Sequence, residues 1–109
     1  MHLNEYQVRA AEFAQYEDIG GPLVYASLGL AGEAGEFVEK VKKLHRNHGG
    51  ELNEERAQEL AKELGDTLWY ISDLAHRLGF TLSQIANLNL EKLISRKERG
   101  VINSQGDNR

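Results

Sequence analysis

The chain has 109 residues, a formal net charge of −4 and no cysteine. That length carries one domain, the missing thiols exclude disulfides, thiolate catalysis and cysteine zinc sites, and the mixing of acidic and basic residues argues against a dedicated nucleic-acid binder. The N-terminus lacks the basic and apolar regions of a leader, and no window approaches the roughly 18 apolar residues of a membrane span. The expectation is therefore a cytoplasmic protein with no membrane or nucleic-acid partner.

Four segments carry helical periodicity and none carries strand alternation, which predicts an all-α fold of four helices. Asn4, with Gln7 three residues on, makes a capping box for the first helix. Its apolar stripe is Tyr6, Ala10, Phe13 and Ala14, and it runs until just before Gly20-Gly21. Pro22 suits the first turn of a second helix reaching about Arg46, with Ala26, Leu30, Phe37 and Leu44 as its stripe. After a loop at residues 47–50, Asn53 caps a third helix carrying Leu60, Leu64, Leu68, Ile71, Ala75 and Leu78 and stopping at Gly79. Thr81 and Gln84 cap a fourth, with Leu82, Ile85, Ala86, Leu93 and Ile94 on its apolar side and Gly100 to close it. The helical domain is residues 1–100, and residues 101–109 form a polar, aperiodic tail. Few long helices in so short a chain leave apolar surface for a second subunit to cover.

The acidic residues break these stripes. Along the second helix the seam reads Ala26, Leu30, Glu33, Phe37, Lys40, Leu44, so Glu33 and Lys40 stand where core residues belong. On the third, Glu63 falls three after Leu60 and seven before Tyr70. Glu36 and Asp66 each lie three residues further on, on the same sides of their helices. Two such helices packed antiparallel bring four carboxylates together, and a divalent cation with oxygen ligands, Mg²⁺ or Mn²⁺, removes the repulsion. The plainer reading is a set of solvated helix faces. The chain has 17 acidic residues, and Glu36–Lys40 and Glu39–Lys43 suit surface pairs worth only about 0.2–0.5 kcal/mol. Glycine favours the site. Gly29, Gly32 and Gly35 interrupt the second helix and Gly65 the third, at about 0.8–1.0 kcal/mol each relative to alanine. Close approach of a backbone or a ligand offsets that cost.

Gly29-Leu30-Ala31-Gly32-Glu33-Ala34-Gly35-Glu36, followed by Glu63-Leu64-Gly65-Asp66-Thr67-Leu68-Trp69-Tyr70, resembles the paired acidic motifs of the MazG-like, all-α nucleotide pyrophosphohydrolases. Asn89, Lys92, Leu93 and Arg96 resemble the element that follows them in that family, and Arg99-Gly100-Val101 with Gly106-Asp107-Asn108-Arg109 resembles the tail of a small single-domain subgroup. The resemblance implies hydrolysis of a nucleoside triphosphate, often a dNTP or a non-standard one, to the monophosphate and pyrophosphate. It implies Mg²⁺ (or Mn²⁺) held by Glu33, Glu36, Glu63 and Asp66, with one of them, Glu36 for example, orienting the attacking water instead. Asn89, Lys92 and Arg96 are then expected on phosphate or sugar oxygens, in a homodimer or a dimer of dimers. Such a metal clamps phosphate oxygens and activates water.

Other positions carry two readings. Lys40 and Lys43 reach for phosphates or are solvated helix-face lysines. Trp69 and Tyr70 stack on a base or, as aromatic residues on a helix stripe more often do, fill core or interface. Tyr6 and Gln7 are weaker base-pocket candidates, while His2, His45, His48 and His76 lack a metal spacing and read as surface. The tail is a loose end or a substrate flap. Rival functions are a phosphoribosyl-ATP pyrophosphohydrolase and a non-catalytic helical oligomerisation or regulatory module.

Overall fold

Two long helices joined by a tight turn form the body of the molecule. A computed structural model describes residues 1–100, with α1 at Leu3–Ala11, α2 at Val24–His48, α3 at Glu54–Arg77 and α4 at Leu82–Glu98. There is no strand among the described residues. The tail expected as loose end or flap lies outside them. No helix is long and apolar enough to cross a membrane.

α2 runs two residues past its expected end because the stop signal is glycine geometry. Gly49 and Gly50 take positive φ of 59° and 80°, and their N–H groups donate to His45 O and Leu44 O at 3.1 and 3.2 Å. Asn53 then caps α3 by accepting from the Arg56 N–H at 2.8 Å. The chain turns back, so α3 lies antiparallel against α2 and Gly29 meets Tyr70 while Lys40 meets Glu63. α4 opens with the expected capping box of Thr81 and Gln84.

The first helix departs from expectation at both ends. Its N-cap is His2, with no side-chain cap bond. Asn4 instead accepts from the Ser83 N–H at 3.0 Å, and Gln7 is buried as a three-way fastener. Its Nε2 donates to Ser72 O and Phe80 O at 3.3 and 3.0 Å, and its Oε1 accepts from the Leu82 N–H at 3.1 Å. α1 stops at Ala11, well short of Gly20, because residues 12–23 are drawn onto α3. Tyr16 donates to Asp73 and stacks on Tyr25 at 4.3 Å. Arg77 lies over the Tyr16 ring and binds Asp18, Asp73 and the Pro22 carbonyl. Long-range bonds override the local helical period there, and Phe13, expected in the stripe, is 72 % exposed.

The buried apolar residues are Ala10, Ala26, Leu44, Ala75 and Leu82. Leu64, Leu78 and Ile94, expected in the core, are exposed, because the four helices leave no further described element to cover their outer sides.

Candidate metal centre

The antiparallel register of α2 and α3 brings the two acidic motifs face to face. Glu33, Glu63 and Asp66 each offer a carboxylate oxygen, all within 4.8 Å of one another. Glu33 and Glu63 are half-buried and Asp66 is exposed. Glu36 stands outside this trio, exposed, but its charge is still felt. Desolvation raises the Glu33 carboxyl above its usual range, and the charges of Asp66, Glu63 and Glu36 raise it further. The Glu33 carboxyl is therefore harder to ionise than a free one, through burial first and its acidic neighbours second. A nearby counter-charge is Lys40, whose Nζ lies 2.9 Å from Glu63 and 3.6 Å from Glu59. The bond to Glu63 is the main reason its ammonium is held above the ordinary lysine value.

These residues fit a hard divalent cation. The donors are all oxygen, they converge, and they repel one another without it. Three carboxylates also leave part of a Mg²⁺ octahedron for water and phosphate oxygens.

One end of the groove is aromatic. A Cβ on Gly29 would collide with the Tyr70 ring, so this glycine permits the close packing of α2 on α3. Trp69 packs edge-on against Tyr70 at 5.0 Å and donates its indole N–H to Ala10 O at 3.1 Å. Burial first, and the charge of Asp66 second, raise the phenol of Tyr6, an α1 residue that feels that carboxylate. The Tyr70 phenol is also raised, by burial and then by Tyr25, Glu33 and Asp66. Gly32, Gly35 and Gly65 differ from Gly29: a Cβ on any of them would meet nothing within 4 Å. The close approach that their cost predicts is not made among the described residues.

Asn89 and Lys92 are exposed on α4, which packs on α1 and α3 and not on α2. Arg96 is 6 % exposed, and its Nε is buried without a hydrogen-bond partner. Glu59 and Arg56 were not singled out from sequence. The signal was there: stepping back by four and then three from Glu63 reaches both on one face of α3.

The MazG nucleotide pyrophosphohydrolase domain family matches residues 26–101, which include all four motif carboxylates and the α4 residues. The Gene 37 protein of Mycobacterium phage L5 is 45 % identical over 114 residues, covering the whole of both chains. No solved structure matches. The chain belongs to the MazG nucleotide pyrophosphohydrolase family.

Proposed function

We propose that this protein hydrolyses a nucleoside triphosphate, a dNTP or a non-canonical NTP, to the monophosphate and pyrophosphate in a Mg²⁺-dependent reaction that Mn²⁺ also supports. The observation that carries this reading is the convergence of Glu33, Glu63 and Asp66 within 4.8 Å on a chain of this family. These three side chains would hold the metal. When bound, Mg²⁺ would neutralise charge on the phosphate oxygens and make a coordinated water more acidic. Glu36, one turn beyond Glu33, would accept a hydrogen bond from the attacking water or complete the metal's ligands. The water oxygen bonds to the α-phosphorus, the α–β bridging bond breaks with its electron pair leaving on pyrophosphate, and the water's proton is released.

Lys40, Asn89, Lys92 and Arg96 are the proposed contacts to substrate oxygens. Support for Arg96 is its buried, unmet N–H, which an anion would satisfy. We place the enzyme in a homodimer or homotetramer. Leu28, Val38, Leu64 and Ile94 are exposed, and the radius of gyration is 16.7 Å where about 13 Å suits a compact chain of this size. A second copy lying on Gly32, Gly35 and Gly65 would supply the close approach these residues invite.

The test is a panel of dNTPs, NTPs and phosphoribosyl-ATP, with and without Mg²⁺, the products separated by chromatography. The reading requires a monophosphate and pyrophosphate, formed only with metal. Release of orthophosphate, or no turnover of any of them, would overturn it.

A further inference from the structure

The groove between α2 and α3 changes chemistry along its length, and the order of that change sets a direction. From the start of α2 it passes Tyr25 and Gly29, then Glu33 and Glu36, then Lys40 and Lys43; the facing stretch of α3 passes Tyr70, then Asp66 and Glu63, then Glu59 and Arg56. The metal trio is thus bounded by aromatic rings on one side and by cations on the other. On the cationic side a cavity of about 410 Å³ opens at the tip of the hairpin, lined by Lys40, Lys43, His48 and Arg56 among others. Lys40 and Glu59 line it too, and both reach the trio through the Lys40–Glu63 bond, so cavity and carboxylates are one side chain apart.

We propose that this cavity receives the leaving pyrophosphate, so that the substrate lies with its nucleoside toward Tyr6 and Tyr70 and its β- and γ-phosphates toward Lys43 and Arg56. This rests on the proposed hydrolase reading and adds its polarity. Three observations carry it. No Phe, Tyr or Trp is among the residues lining the cavity, and the small His48 ring there is already held by Arg56 at 2.9 Å, whereas the other end of the trio presents the Tyr70 ring packed on Gly29. Its cations are donors suited to phosphate oxygens: Arg56 spends one N–H on Glu51 O at 2.9 Å and meets His48 Nδ1 at 2.9 Å, which leaves others of the five on its guanidinium. Finally, the acidic residues in the wall are already engaged. Glu59 faces Lys40 and Lys62 at 3.6 and 3.4 Å, and Glu55 sits in the first turn of α3, where the helix dipole favours a negative charge. A cation on Glu63 would compete with Lys40 for that carboxylate and turn the lysine toward the phosphates.

The experiment titrates inorganic pyrophosphate and, separately, the monophosphate product into the full chain with Mg²⁺ by calorimetry. Lys43→Gln and Arg56→Gln are expected to weaken pyrophosphate about tenfold or more, as loss of a charge-assisted hydrogen bond does, and to leave the monophosphate almost unchanged. Tyr6→Leu should give the opposite split. Arg56 also holds the hairpin turn, so Lys43→Gln, whose side chain is 53 % exposed, decides the matter if the Arg56 variant melts early. Unchanged pyrophosphate affinity in Lys43→Gln, equal loss of both ligands, or no pyrophosphate binding by the wild type would overturn the proposal. If the wild type hydrolyses no triphosphate yet loses pyrophosphate on Lys43→Gln, the hydrolase reading fails and the anion cavity stands.

Discussion

The two ends of α3 are held in opposite ways. Its C-terminal half is fastened to α1 through Gln7 to Ser72 and Trp69 to Ala10, and α1 is tied on to the start of α4 through Gln7 to Phe80 and Leu82 and Asn4 to Ser83. Its N-terminal half faces α2 across a groove where carboxylates crowd, one lysine offsets them, and three glycines look onto open space. The fastened end satisfies itself within one chain. The groove does not, and perturbed electrostatics of that kind make it the candidate ligand site.

Substitutions at the two ends should therefore fail differently. The largest effect belongs to the trio. Asp66→Asn or Glu63→Gln should cut Mg²⁺-dependent turnover by at least about 10²–10³-fold, the scale of losing a principal electrostatic contact to the transition state, with the helical circular dichroism unchanged. Glu36→Gln, outside the trio, should cost about 10–100-fold, the range typical of groups that orient metal ligands; a loss as complete as that of Asp66→Asn would place Glu36 among the ligands themselves.

At the fastened end stability should fall instead. Gln7→Leu strands the buried Leu82 N–H, which the Gln7 side chain meets, and one such buried group costs about 1–3 kcal/mol. Thermal melting should show this, with turnover per folded molecule far less affected than by Asp66→Asn. Gly29→Ala lies between the two regions. Its methyl meets the Tyr70 ring, and overpacking costs about 1–3 kcal/mol, so it should both lower the melting temperature and disturb the groove.

The smallest effect is a pH dependence. The folded chain raises the Glu33 carboxyl above its usual value, so the stability linked to its proton is fully present below the ordinary glutamate range and is lost as pH rises through the raised value. Without metal, Glu33→Gln should gain melting temperature over the wild type as the pH climbs from acid to neutral. Equal differences at both pH values would contradict a raised Glu33 carboxyl, whose causes are burial first and the acidic neighbours second.

Much of this was legible in the residues. The caps at Asn53 and Thr81 are local chemistry, and both formed as read. The acidic spacing on α2 and α3 was equally local, and it predicted a convergence that the structure realises for Glu33, Glu63 and Asp66 while leaving Glu36 outside. What escaped depends on partners far along the chain. Gln7 resembled a capping residue because its acceptors lie 65 and 73 residues away. The stretch after Ala11 kept a helical period that Arg77 and Asp73 override. The exposure of Leu64 and Ile94 depends on what surrounds the chain, and no stripe read along one helix reports that.

The most direct test of the metal centre needs no substrate. Mn²⁺ titrated into the full chain, with free ion followed by electron paramagnetic resonance, should show binding that Mg²⁺ displaces and that Asp66→Asn removes while the protein stays folded. Equal Mn²⁺ affinity in wild type and Asp66→Asn, or no binding to the wild type, would contradict the assignment of Glu33, Glu63 and Asp66 as the metal's ligands.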